Sequence, residues 1–318
     1  MISVIIPLYN NKDYIYKCLA SLSVQSYRDF ECIVVDDGST DGSGDIVELF
    51  AQDDCRFRVL HIENGGVSNA RNTGINHSRG EYIVFVDSDD YVNEHYLWNL
   101  YVNMDKNTDM VVSGFQISGE KSTGIVGVSA ELSIDILKSS SSGYSKVAKL
   151  LQCPFARIYR SDTIRNYHLE FRTDMKLGED LCFNLDYLAH SGNVKFIPHV
   201  DYCYRNNGPS LSRRKKYPLK ELYQAGGVHK EFLKKHNKWD SVGREYLYKQ
   251  LGGYLYDALF DLNSSYSDIR AFVRAFEHED LSGCIQYFNY PWWLKMSLNC
   301  RLPILIYLIK RFYKETEL

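Results

Sequence analysis

Glu81-Tyr-Ile-Val-Phe-Val-Asp-Ser-Asp-Asp-Tyr91 joins an apolar run to three carboxylates, Asp87, Asp89 and Asp90, packed into four residues. The run reads as a short buried strand, and the acids sit where that strand ends. In an open α/β sheet the C-terminal ends of the strands are where ligands bind. Three like charges so close together cost stability unless something positive neutralises them, and hard carboxylate oxygens suit Mg²⁺ or Mn²⁺ bridging to phosphate. An isolated Asp-x-Asp is also ordinary turn chemistry, so the meaning of this one depends on its flanks.

The chain upstream alternates strand and helix. Ile2 to Leu8 predicts a first strand, followed by a turn at Tyr9-Asn10-Asn11 and a helix over Lys12 to Gln25, with Tyr14, Ile15, Cys18, Leu19 and Leu22 at helical spacing. Glu31 to Val35 predicts a second strand, running into Asp36-Asp-Gly-Ser-Thr-Asp41, and Ile46, Val47, Leu49 and Phe50 mark a second helix. Arg56 to Ile62 predicts a third strand, Glu63-Asn-Gly-Gly66 a turn, and Val67 to His77 a third helix carrying Ser68, Asn69, Arg71 and Asn72. Four strands separated by helices imply a doubly wound, mostly parallel α/β sheet whose strand-end loops share one rim. Asp36-Asp37 lies on that rim, although Asp-Gly-Ser-Thr-Asp also serves as a plain turn and helix cap. No G-x-G-x-x-G follows the first strand and no Walker sequence occurs, so neither a nicotinamide enzyme nor a P-loop enzyme is supported.

Composition narrows the class further. The 318 residues are 45% hydrophobic and 24% charged, enough for a large core, and a net charge of -3 argues against a nucleic-acid partner. The eight cysteines show no C-x-x-C, and those at 18, 32 and 182 read as small buried thiols. The N-terminus opens on a strand with no basic region before it, and no apolar run reaches the roughly 20 residues of a membrane span. The expectation is a cytoplasmic protein.

Four blocks in register then carry a resemblance: Ser3-Val-Ile-Ile-Pro-Leu-Tyr-Asn10, Ile33-Val-Val-Asp-Asp-Gly-Ser-Thr-Asp41, Asn69-Ala-Arg-Asn-Thr-Gly74 and Gly80-Glu-Tyr-Ile-Val-Phe-Val-Asp-Ser-Asp-Asp90. Together they resemble the inverting family 2 glycosyltransferases of bacterial surface-polysaccharide type. The resemblance implies the A-type glycosyltransferase fold, a UDP-sugar donor and a divalent metal, Mn²⁺ or Mg²⁺. Carried over by position, it implies that Pro7 and Tyr9 frame the base, Asp36 and Asp37 read the uracil, and Arg71 lies near base or phosphate. Asp87 and Ser88 would approach ribose and donor sugar, Asp89 would hold the metal, and Asp90 would lie beside it.

Past residue 105 the match loosens. Asp109 to Ile117 predicts another strand, the Ser- and Gly-rich span from Glu120 to Ser145 a surface or acceptor-side loop, and Cys153-Pro-Phe-Ala-Arg-Ile-Tyr-Arg160 resembles the family's strand before its acceptor region, with Arg157 where Lys is common. Leu177-Gly-Glu-Asp-Leu-Cys-Phe183 opens a helix. Acids are favoured in a first helical turn by the dipole, but an inverting transfer also needs a carboxylate to take the acceptor's proton, and the family's Glu-Asp pair assigns that role to Asp180. Asp201-Tyr-Cys-Tyr-Arg205 and Asn206-Asn-Gly-Pro-Ser-Leu-Ser-Arg213 resemble the segment and lid closing the catalytic domain, with Arg205 and Arg213 as diphosphate clamps.

Composition turns helical from Tyr217, so the expected division is a catalytic domain over 1–216 and a helical domain over 217–318. The apolar, Lys- and Arg-flanked segment Leu302 to Lys314 suits either the membrane interface or packing on its own domain or a second subunit, which leaves peripheral membrane contact and an oligomer both open. The expected acceptor is a glycan or lipid-linked glycan hydroxyl. One rival is a phosphatase using the first Asp of Asp-x-Asp, but such enzymes place Thr or Val where this chain has Tyr91. The other is an inactive relative that binds nucleotide-sugar or glycan without turnover.

Overall fold

The structure is a computed structural model that describes residues 1–119, 124–128, 132–133, 150–175 and 178–206 and, further on, 219–235, 278–287 and isolated positions between 244 and 298. The chain separates into two compact units, Met1–Met175 with Glu179–Gly208, and Lys176–Gly178 with Pro209–Leu318.

The first unit is built on β1 (Ile2–Leu8), β2 (Phe30–Asp36), β3 (Phe57–His61) and β4 (Tyr82–Phe85), linked by α1 (Lys12–Ser23), α2 (Ser43–Asp53) and α3 (Val67–His77). Every residue of β1 and β4 is buried, as expected for strands covered on both faces. The sheet continues with β5 (Tyr91–Val92), β6 (Met110–Ser118), β7 (Gly124–Val126), β8 (Leu132–Ser133), β9 (Arg157–Arg160) and β10 (Val194–Arg205). Its order is β3-β2-β1-β4-β9-β6-β10-β5, with β7 paired to β6 and β8 to β10. The chain steps outward from β1 to β3 and returns to β4 on the other side of β1. That reversal opens a crevice at the C-terminal ends of β1 and β4, where α/β sheets bind ligands. Pro7 lies past the last β4 partner of β1, where a missing N–H is tolerated.

The parallel, helix-alternating half matches expectation, and the outer half differs from it. The strand expected across Cys153–Arg160 is confined to Arg157–Arg160 and runs antiparallel between β4 and β6, behind a 3-10 turn at Leu150–Gln152. The span from Glu120 to Ser145, expected as loop, contributes two short strands, because the ends of β6 and β10 offer open edges for them. The helix expected over Leu302–Lys314 lies outside the described residues.

Helix spacing explains how the layers pack. α1 buries Ile15, Cys18, Leu19 and Leu22, one stripe of a 3.6-residue repeat. α3 packs on β1 and β2, with Ala70 against Ile33 and Val35 and with Leu60 and Ile62 at the margin. Gly74 allows this approach: a Cβ there would stand 2.3 Å from Ile5 Cγ2. α4 (Tyr96–Tyr101) follows β5, α5 (Ser161–Asn166) and α6 (Glu179–Ala189) follow β9, and α6 buries Cys182, Phe183, Asn184, Leu185, Tyr187 and Leu188.

Gly80 enters β4 under tighter constraint. Its N–H donates to Ser3 Oγ (2.8 Å), its carbonyl accepts from Ser161 Oγ (2.7 Å), and a Cβ would sit 2.5 Å from the Ser3 backbone nitrogen. Backbone cannot swing aside as a side chain can. Gly80→Ala should therefore lower stability by about 3 kcal/mol, read as a shift in the urea midpoint at constant slope.

In the second unit, α7 (Leu219–Lys235) and α8 (His278–Tyr287) are joined through a buried ion pair. Lys230 Nζ lies 2.6 Å from Asp280 Oδ1 and 3.3 Å from Glu279 Oε2, and Tyr248 donates to Asp280 at 3.1 Å. Among the described residues no helix is long and apolar enough to cross a membrane.

Candidate active site

The crevice between β1 and β4 is walled by loops lashed to one another. Asn10, with φ near 50°, accepts from the Thr40 N–H (2.8 Å) and donates its own N–H to Ser39 Oγ (3.0 Å), which fixes the loop after β1 against the loop after β2. Asp41 caps α2 by accepting from the N–H and hydroxyl of Ser43 and also from the Lys12 N–H, so the start of α1 is held too. Asn11 donates to Ser88 Oγ at 2.6 Å, tying the same loop to the acidic turn. Tyr9 stands half exposed at the rim with the buried Pro7 just behind it.

Asp36 and Asp37 are both buried, and both organise backbone. Asp36 accepts from the Ser39 N–H (3.0 Å) and faces His61 Nδ1 (2.8 Å), whose Nε2 lies 2.9 Å from Glu48. These two carboxylates raise the His61 pKa, the Asp36 hydrogen bond most. Asp37 takes the N–H groups of Gly65 and Gly66 on its two oxygens, each at 2.8 Å, so it closes the turn into α3. An Asp carboxylate has about four lone-pair sites, so each of these groups keeps acceptor capacity beyond these bonds.

At the end of β4 the acids part company. Asp87 and Asp89 stay half buried at the rim, whereas Asp90 is wholly buried. One Asp90 oxygen accepts from Tyr202 OH (2.6 Å) and the other from the Arg205 N–H (2.7 Å), both supplied by β10. The same Tyr202 oxygen accepts from the Asp87 N–H (3.1 Å), so this hydroxyl clamps both ends of the turn. Burial raises the Asp90 pKa, with the Asp87 and Asp89 charges reinforcing. The residue expected beside the metal, among the nucleotide-sugar-binding groups, is thus turned into the protein, where it shapes the loop. Arg205 donates from Nε to the Asp89 carbonyl (2.8 Å), and its guanidinium carbon lies 4.8 Å from the Tyr14 ring and 5.6 Å from that of Tyr91. Arg213 lies outside the described residues.

Arg71 holds the centre. It is buried in the N-terminal half of α3, with Nη1 donating to Asp180 Oδ1 at 2.7 Å and Nη2 to Asp87 Oδ1 at 3.0 Å. One fork thus joins α3, the acidic turn and the first turn of α6, across 109 positions of sequence. The Asp180 side chain keeps 23% exposure, enough to meet an incoming hydroxyl. Burial pushes its carboxyl up to about 8, with Arg71 opposing and Glu179 and Asp87 reinforcing. Such a group takes protons near neutrality, as a general base should.

For a metal, Asp89 offers a hard oxygen donor at the rim, and among the described residues no three His, Cys, Asp or Glu side chains converge as a cage. That donor set fits Mg²⁺ or Mn²⁺, which bind through one or two carboxylates and fill their shell with phosphates and water. Asn11, His61 and Tyr202 were not singled out from sequence as site residues. Their only signal was polarity at strand and loop ends, and their partners lie 77, 25 and 112 positions away.

Comparison with known proteins gives a consistent picture. The family model described as Glycosyl transferase family 2 matches residues 3–167. The Bacillus subtilis (strain 168) glycosyltransferase EpsJ is 35% identical over 234 residues, covering 71% of this chain and 68% of its own. The Staphylococcus aureus (strain N315) poly(ribitol-phosphate) beta-N-acetylglucosaminyltransferase TarP is 27% identical, over 63% of this chain and 61% of its own. Among solved structures, S. aureus TarS 1-349 in complex with UDP aligns with a TM-score of 0.73 at 19% identity, covering 99% of this chain and 91% of that one. The same protein in complex with UDP-GlcNAc aligns at 0.72.

Proposed function

The chain belongs to glycosyl transferase family 2, and from that premise we propose that it moves a sugar from a UDP-linked donor to a hydroxyl of a surface glycan or lipid-linked glycan, with inversion at the anomeric carbon. The single observation that carries this reading is the Arg71 fork, which sets a candidate base, Asp180, beside a candidate donor-binding group, Asp87.

In this reading Pro7, Tyr9, Asp36 and Asp37 line the base and ribose side of the crevice. Asp87 and Ser88 face the donor sugar and Asp90 sets their turn. Asp180, on the first turn of α6, takes the proton of the acceptor hydroxyl as that oxygen attacks. The bond from the anomeric carbon to the diphosphate breaks on the opposite face, and UDP leaves. A divalent cation held by Asp89 would supply positive charge to the diphosphate oxygens. Arg205, fixed at the acidic turn, adds a second positive group there. Most of the acceleration comes from holding donor and acceptor in line. TarS complexes with UDP and UDP-GlcNAc support the donor class, and the poly(ribitol-phosphate) acceptor named for TarP supports a surface polymer as acceptor.

Calorimetric titration with UDP tests the reading. Binding should appear with Mn²⁺ and fall with EDTA, and Asp89→Ala should lose the metal dependence, weakening UDP by about tenfold or more. An Asp89→Ala protein that binds UDP and Mn²⁺ like the parent would remove Asp89 from the metal site. A chain that binds no nucleotide under either condition would overturn the donor assignment. The measured parent affinity then sets conditions for a transfer screen with a panel of UDP-sugars.

A further inference from the structure

Asn72 follows Arg71 on α3, and its carboxamide meets the main chain of Phe171 at two points. Nδ2 donates to the Phe171 carbonyl and Oδ1 accepts from the Phe171 N–H, both at 2.8 Å, across 99 positions of sequence. A carboxamide offers a donor and an acceptor side by side in a fixed plane, so the pair imitates one rung of a β-ladder where no strand exists.

The ring held in this way is 1% exposed. It lies flat on Phe183 (centroids 4.0 Å apart, planes at 5°) and edge-on to Phe85 of β4 (5.2 Å, 85°). The Arg71 guanidinium carbon lies 5.2 Å from its centroid. Phe183 stands three residues beyond Asp180 on α6, so the two side chains share a face of the helix one turn apart. α3 therefore reaches Asp180 by two routes. Arg71 makes a direct ion pair, and Asn72 acts through the Phe171 ring and the turn of α6 that rests on it.

We propose that Asn72 is a positioning residue for sugar transfer, and that its clasp on Phe171 sets the orientation of the first turn of α6 and hence the aim of the Asp180 carboxylate. The proposal rests on the reading of Asp180 as the base. Asn72 touches no reacting atom in this scheme. Its effect belongs to the chemical step and not to donor binding, because the clasp lies on the α6 side of Arg71 while the acidic turn is held separately by Tyr202 and Asn11.

The test uses the full chain carrying Asn72→Ala, Asp180→Asn and both together, with transfer rates and UDP calorimetry on each. Asn72→Ala should lower kcat by about tenfold to a hundredfold, as expected for a catalytic group displaced by a fraction of an ångström to 1 Å, while donor KM and UDP affinity stay within about twofold. In the Asp180→Asn background the same substitution should change the residual rate by less than about twofold, since there is no base left to misaim. If Asn72→Ala does not fold, Asn72→Asp, which keeps the acceptor for the Phe171 N–H and loses the donor, is read by the same criteria. An unchanged kcat in a folded variant overturns the proposal, as does an equal loss in both backgrounds, which would mark a general structural role. If Asp180→Asn itself transfers at the parent rate, the assignment of the base falls first and the role of Asn72 with it.

Discussion

With Asp180 as the proposed base, Asp180→Asn should lower sugar transfer by about a thousandfold while UDP binding survives, because general-base help contributes roughly 10²- to 10⁴-fold and the proposed donor side of the crevice is built from other residues. Asn keeps an oxygen for Arg71 Nη1, now 2.7 Å from Asp180, so the ion-paired centre loses a charge without losing its shape. The pH profile supplies an independent check. As the proposed base Asp180 would act deprotonated, and burial raises its carboxyl to about 8, so kcat/KM for the acceptor should climb as pH rises and level off above about 8. The Asp180→Asn variant should lose the limb altogether, and a variant that transfers at the parent rate would remove Asp180 from the chemistry.

Arg71→Met is expected to cost the folded state roughly 3 kcal/mol, the scale found when one partner of a buried ion pair is deleted. Arg71 is the cation shared by Asp87 and Asp180, and its removal leaves both acids without their buried partner beside an apolar Phe171 ring. Urea unfolding at neutral pH measures the loss. Combining Arg71→Met with Asp180→Asn should recover part of it, since one of the stranded charges is then gone. Arg71→Lys should fall between, because an ammonium carries the charge but lacks the fork that reaches both acids. Additive costs in the double variant would show that the Asp180 contact contributes nothing beyond packing.

How much of this was legible beforehand follows from the range of each interaction. β1 to β3 were readable because each is an apolar run followed by a helix, and β4 because it is an apolar run preceded by one, and those signals are local. The acidic turn was readable as the loop ending β4 for the same reason. The antiparallel placement of β9 was not, because Arg157–Arg160 carries no mark of direction and its partners lie at residues 82–83 and 110–112. Arg71, Asp87 and Asp180 were each singled out, yet their meeting in one fork spans 16 and 109 positions of sequence, which no spacing encodes. Asp90 shows the limit most sharply. Beside Asp89 it reads as another ligand group, and Tyr202 and the Arg205 N–H, 112 and 115 positions later, hold it inward.

The late arrival of β9 has a consequence for how the chain is made. Its neighbours β4 and β6 both precede it in the sequence, so an N-terminal half emerging from the ribosome carries the apolar strand Tyr82–Phe85 with one flank unpaired until Tyr159 and Arg160 follow. At roughly 5–20 residues per second that flank stays open for several seconds, a template for unwanted strand addition that chaperones must shield. Tyr202 and Arg205, which fix the acidic turn, are synthesised later still, so the crevice takes its final form only once β10 has joined the sheet.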